Sequence, residues 1–140
     1  MGDYYEQRAN GNLLITEGTI IWDDGAGWRN APRIDTQQHA EAWKPIIDRV
    51  HAKDALVYCQ LWRIGRQSHT SHHPESKRRI VGPSEIAIEG KVKTVDGQDA
   101  DPEVPHALTI DEIKSTVLDY CNAAKVSGTW LMVLMMTRDT

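Results

Sequence analysis

The sequence predicts an α/β fold on parallel strands, and three stretches carry that reading. Ala55-Leu56-Val57-Tyr58-Cys59 runs without charge into Gln60-Leu61-Trp62, the pattern of a strand covered on both faces that ends in a polar and an aromatic residue. In front of it, residues 36–53 put Ala40, Trp43, Ile46, Ile47 and Val50 on one helical face behind Thr36 as N-cap. Further upstream, residues 12–21 are rich in β-branched side chains. Strand, helix and strand make one βαβ unit, and ligands of parallel α/β proteins collect where such strands end.

The remaining elements follow in order. Residues 4–9 read as a helical stub. The first strand carries Glu17-Gly18-Thr19 near its end and opens into the loop Asp23-Asp24-Gly25-Ala26-Gly27. Pro45 is the misfit of the first long helix, because the Glu41 carbonyl loses its partner there; a bend is expected, with a helix break as the alternative. A long excursion spans residues 63–105, where Ile86-Ala87-Ile88 and Val92-Lys93-Thr94-Val95 flank Glu89-Gly90-Lys91 as a small hairpin. Thr109-Ile110-Asp111-Glu112 is a capping box that starts the last helix. Ile113, Val117, Cys121 and Ala124 form its expected buried face, Val126-Ser127-Gly128 its stop, and residues 131–135 a further buried strand.

This order is the grammar of a β/α barrel or a doubly wound sheet. No GxGxxG follows any strand, which weighs against the dinucleotide-binding version and toward a partial TIM (β/α)8 barrel. A complete barrel takes roughly 250 residues and eight strands, so this chain supplies three of the eight. It reads as a single partial barrel domain over residues 1–140, divided into 1–62, 63–105 and 106–140. Its unpaired strand edges are expected to promote self-association.

Composition sets limits. With 40% apolar residues and a net charge of -4 the chain has no basic footprint for nucleic acid, and Lys77-Arg78-Arg79 reads as a solvated loop. The first residues lack the apolar core of a secretory signal, so a cytoplasmic protein without membrane contact is expected. Cys59 and Cys121 sit in apolar contexts and read as reduced structural thiols. The run Ser68-His69-Thr70-Ser71-His72-His73 has no partner cysteine and weak ligand spacing; it reads as a polar loop, and no metal site is assigned.

Taken together, Tyr4-Tyr5-Glu6-Gln7-Arg8-Ala9, Leu14-Ile15-Thr16-Glu17-Gly18-Thr19, Ala42-Trp43-Lys44-Pro45-Ile46, Cys59-Gln60-Leu61-Trp62 and Gly65-Arg66 resemble the old yellow enzyme family, including its plant oxophytodienoate reductases. Leu108-Thr109-Ile110-Asp111-Glu112 and Asp119-Tyr120-Cys121-Asn122-Ala123-Ala124 resemble the helix after the excursion in those proteins. The resemblance implies an FMN-dependent ene-reductase that takes reducing equivalents from NAD(P)H and acts on the C=C bond of a small enone. It implies that Gln60 hydrogen-bonds the flavin pyrimidine edge, that the Gly18 backbone approaches the same group, and that Trp62 stands beside the substrate. A side-chain amide both donates and accepts, which suits a ring edge carrying both functions. Arg66 is either a site residue or a surface ion-pair residue. Arg63 stands where the plant members tend to carry histidine.

The family's proton-donating tyrosine, its paired substrate-gripping histidines and its phosphate loops find no counterpart in these residues, so no catalytic residue is assigned. FMN binding by this chain alone is expected to be weak or absent. Back-translated two bases out of frame, Trp130-Leu131-Met132-Val133-Leu134 can encode Ala-Asp-Gly-Val, closer to the family's pattern, which suggests a frameshift or exon error near Ser127. Two other readings stay open: a catalytically inactive product or interaction protein without flavin, and an unrelated small binding protein that uses the histidine-rich loop.

Overall fold

The computed structural model describes residues 1–22, 27–73, 79–128 and 132–135. Helix α1 (Gly2–Arg8) leads through a 3-10 turn at Ala9–Gly11 into strand β1 (Leu13–Ile20), and α2 (Gln37–His51) leads into β2 (Leu56–Trp62). Short strands β3 (Val81–Gly82), β4 (Val92–Lys93), β5 (Asp99–Ala100) and β6 (His106–Ala107) occupy the excursion, before α3 (Ile110–Ser127) and β7 (Met132–Met135). The expected loop at 23–26, most of the basic triplet, and residues 129–131 and 136–140 lie outside the described residues.

β1, β2 and β7 form one parallel sheet in that order. Each strand reaches the next through a helix, and the helices pack on one face of the sheet, as in a sector of a (β/α)8 barrel. The core lies on that face: Val57, Cys59 and Leu61 of β2 meet Tyr5 of α1, Trp43, Ile47 and Val50 of α2, and Tyr120 and Ala123 of α3. Burying an aliphatic side chain of this size stabilises by roughly 1.5–3 kcal/mol.

β2 corrects one expectation. It is not covered on both faces: Val57, Cys59 and Leu61 are buried, whereas Leu56 is 54% exposed and Tyr58, Gln60 and Trp62 are half-buried. Helices cover the outward residues only. The inward residues, with Leu13 and Ile15 of β1 at 48% and 52% exposure, line the concave side that other barrel strands would fill.

Local chemistry explains why the helices start where they do. The Thr36 hydroxyl accepts from the His39 N–H at 3.2 Å, and α2 then passes through Pro45 without a break. Pro45 and Glu41 lie on the exposed side, where water can satisfy the carbonyl that proline leaves without a partner. Ala40, Trp43, Ile47 and Val50 are buried as the spacing predicts, and Ile46 is partly buried. Arg49 of α2 pairs with Asp3 and Glu6, and Lys53 Nζ donates to the Glu6 carbonyl at 2.9 Å, which holds α1 across α2.

α3 carries the expected capping box but turns a different face inward. Tyr120, Ala123 and Ser127 are buried, while Ile113, Val117 and Cys121 are exposed. The face it buries is the less apolar one, Tyr120, Ala123 and Ser127, and of the face the spacing favoured only Ala124 packs, partly buried, against the core. Cys121 is therefore a surface thiol.

The Glu112 carboxylate accepts from the Thr109 N–H at 2.7 Å and lies 3.2 Å from His106 Nε2. The Thr109 backbone bond is the main cause holding its pKa down to about 2 against an ordinary 4.5. A depressed folded-state pKa gives stability that is present above the unfolded value and lost as pH falls through the folded one. Acid should therefore loosen the first turn of α3 between about pH 4.5 and 2. Glu112→Gln, which keeps a capping side chain without a titrating group, should remove that component from a far-UV circular dichroism titration; an unchanged acid profile would contradict the assignment.

The excursion contains a hairpin, but not the expected one. β4 pairs antiparallel with β5, Val92 opposite Ala100 and Lys93 opposite Asp99, around a turn through Asp96-Gly97. Gly97 has φ +79, and the Gly97 N–H donates to the Thr94 carbonyl at 2.8 Å. Asp-Gly is among the strongest hairpin signals, and only glycine takes that φ without strain. Residues 86–88 form no strand. β3 and β6 add a parallel pair that the sequence did not suggest.

Candidate functional site

The site is built where β1 and β2 end. Leu13 and Ile15 stand opposite Leu56 and Tyr58, but Gly18 stands opposite Gln60, so β1 carries one residue more than β2 between these pairs. This bulge switches the alternation of β1, and Gly18, not Glu17, becomes the partner of Gln60.

Side chains hold the bulge. Thr16 Oγ1 accepts from the Gln60 N–H at 2.9 Å and donates to the Glu17 carbonyl at 2.8 Å. Thr19 Oγ1 donates to the same carbonyl at 3.0 Å. From α1, the Tyr5 hydroxyl accepts from the Glu17 N–H and donates to Glu17 Oε1, both at 3.2 Å. Burial pushes the Tyr5 phenol up to about 12, so it stays protonated as a donor. Below the bulge, burial raises the Cys59 thiol while hydrogen bonds with Thr19 and Thr16 partly oppose the shift. A thiol so placed packs rather than reacts.

Trp62 lies over Gly18. A Cβ on Gly18 would come 3.0 Å from Trp62 Cδ2 and 3.1 Å from its Cγ, so the indole is in contact with bare backbone. Around this pair opens a cavity of about 490 Å³ lined by Glu17, Gly18, Gln60 and Trp62 of the strands and by the 28–32 segment. That segment returns across the end of β1: the Ile20 N–H donates to the Pro32 carbonyl at 2.8 Å and the Ile34 N–H to the Ile20 carbonyl at 3.0 Å. Asn30, at φ 64, makes the turn that lets Trp28 and Arg29 face the cavity.

Three of the four residues singled out from sequence therefore meet at one end of the sheet. Arg66 does not line this cavity; its Nη1 donates to the Ile86 carbonyl at 3.1 Å and ties the excursion down. Arg63 Nη1 donates to Thr116 Oγ1 of α3 at 2.6 Å. The histidine-rich run is stitched into the excursion, with His72 Nε2 3.0 Å from the Lys93 carbonyl and His69 Nε2 3.5 Å from Glu103 Oε1. Among the described residues no group of three His, Cys, Asp or Glu could hold a metal ion, and no helix is long and apolar enough to cross a membrane. Sequence reading missed Trp28, Arg29 and the bulge. Asn30 and Pro32 signalled a turn, but nothing local said that it folds back over β1.

A cleft at the carboxyl ends of parallel, helix-linked strands, lined by an amide, a glycine and two indoles, lies at the end of the sheet where β/α barrels carry their sites. The profile of the NADH:flavin oxidoreductase / NADH oxidase family matches residues 1–129, and the chain belongs to that family, the old yellow enzymes. It is 36% identical over 126 residues to 12-oxophytodienoate reductase 7 of Oryza sativa subsp. japonica, covering 89% of this chain and 32% of that protein. Among solved structures, it resembles the old yellow enzyme homologue from Zymomonas mobilis with TM-score 0.86 and 34% identity over 96% of this chain and 37% of that one. Morphinone reductase in complex with tetrahydroNAD is similar at TM-score 0.85 and 34% identity, over 96% of this chain and 39% of that one. The chain spans about a third of the length of the curated relatives it matches.

Proposed function

We propose that these residues form the part of an FMN-dependent ene-reductase site that receives the pyrimidine edge of the isoalloxazine. The observation that carries the reading is the register: Gly18 and Gln60 are directly opposite, and the Trp62 ring lies on Gly18 at the cavity wall. The donor set fits the group. The Gln60 amide offers both a donor and an acceptor, the missing Cβ at Gly18 lets backbone come close, and hydrogen bonds at that edge tune a flavin's reduction. Trp62 stands on the substrate side. When bound, FMN supplies hydride transfer from NAD(P)H to the β-carbon of an α,β-unsaturated carbonyl. The residues here orient that ring and shape one wall. The family's proton donor and phosphate loops have no match in this chain, so weak FMN affinity and no turnover are expected of it alone, in a cytoplasmic setting.

The test is an FMN titration followed by flavin fluorescence, comparing the unaltered chain with Gln60→Leu. Removing the amide should weaken binding roughly tenfold, the scale of one good hydrogen bond. Identical isotherms would remove Gln60 from the reading.

A second reading, an interaction protein without flavin, has its own support in the exposed inner face of Leu13, Ile15 and Leu56, beside β1 and β7, which have no further strand partner among the described residues. Light scattering against concentration separates the two. Assembly that FMN neither weakens nor requires, with no flavin bound, would favour this one.

A further inference from the structure

We infer that Tyr5 and Thr16, neither of which lines the cavity, are positioning residues that fix the Gly18–Gln60 pair from the outer face of the sheet. The inference deepens the flavin reading and rests on it for its consequence, though not for its geometry. A bulge leaves the extra residue's backbone out of the ladder, and a buried N–H left without a partner carries its full desolvation cost. Here the Glu17 N–H is taken by the Tyr5 hydroxyl at 3.2 Å. Across the pair, the Gln60 N–H is taken by Thr16 Oγ1 at 2.9 Å.

In addition to the ladder that pairs the two strands, a side-chain hydroxyl thus takes one backbone N–H on each side of the cavity floor. Each hydroxyl is itself held. Tyr5 is 4% exposed with its ring edge-on to Trp43 at 6.0 Å, and Thr16 is 3% exposed. Thr16 also touches the Thr19 hydroxyl at 3.2 Å. The tyrosine comes from α1, so the first helix reaches the cavity through one oxygen atom. Losing that oxygen frees Glu17 and lets Gly18 drift from its place under Trp62; losing the Thr16 oxygen does the same to Gln60.

The experiment measures amide hydrogen exchange in the chain as it stands and in Tyr5→Phe, Thr16→Val and Thr16→Ser, followed by FMN titration of each with the visible flavin band recorded. Exchange at Glu17 and Gly18 should rise roughly tenfold in Tyr5→Phe, and at Gln60 in Thr16→Val, with Leu61 unchanged. Thr16→Ser, which keeps the oxygen, should behave as the parent. The bound-flavin band should shift in the Phe and Val variants and not in the Ser variant. Exchange that stays the same, that rises evenly across the sheet as in general destabilisation, or that is as fast in Ser as in Val overturns the assignment. If Tyr5→Phe does not fold, the Val and Ser pair decides. If the parent takes up no FMN, the flavin reading falls and the exchange rates alone decide the positioning role.

Discussion

Trp43→Ala is expected to remove about 3–5 kcal/mol of folding stability, a large share of a domain total of order 5–15 kcal/mol, and to move the urea midpoint down accordingly. Trp43 is 4% exposed in the middle of the cluster that joins α1, α2 and the sheet. Its Nε1–H donates to the Arg33 carbonyl at 3.1 Å, and Tyr5 meets it in a T-shaped ring contact. Alanine would leave a cavity, strand that carbonyl and release Tyr5 together. Trp43→Phe keeps most of the volume and should cost about 1–3 kcal/mol, the penalty of leaving the Arg33 carbonyl without its donor. A Trp43→Ala chain that unfolds within 1 kcal/mol of the parent would show that the cluster does not organise the fold.

The second large effect is expected at Gly18, where the close contact with Trp62 meets the proposed flavin position. In Gly18→Val the new Cβ sits 3.0–3.2 Å from three atoms of the Trp62 ring, and two further methyl groups press on the same face. The indole has to swing toward the cavity. Overpacking of this kind costs about 1–3 kcal/mol, and the displaced ring would occupy the space that the flavin edge needs. Trp62 fluorescence should shift and FMN binding should disappear. Trp62→Ala in the same chain should restore much of the lost stability, because the two residues share one contact and their effects cannot add. A Gly18→Val protein with unchanged fluorescence and unchanged FMN affinity would remove the contact from the argument.

How much could be read from the sequence depended on how local each signal was. The Thr36 cap and the Thr109–Glu112 capping box were legible because each is completed within one turn of helix. Gln60 and Trp62 were legible because a polar and an aromatic residue close an uncharged run. The excursion's hairpin is also written locally, since Asp96-Gly97 marks the turn that Glu89-Gly90 does not. The bulge was not legible, because an extra residue exists only by comparison with the partner strand. α3 misled because its more apolar face, with Ile113 and Val117, stays exposed while Tyr120, Ala123 and Ser127 are buried, and periodicity cannot tell which face finds a neighbour. Trp28 and Arg29 reach the cavity only through the backbone pairing of Ile20 with Pro32 and Ile34, a contact between segments that no short window contains.

The two thiols, one sealed beneath the bulge at 0% exposure and the other on the surface of α3, give this molecule a built-in stopwatch. An alkylating reagent should label Cys121 at once and Cys59 only during excursions that part the threonines from the sulfur. The lag between the two labels would time the breathing of the cavity floor, without any probe having to be introduced.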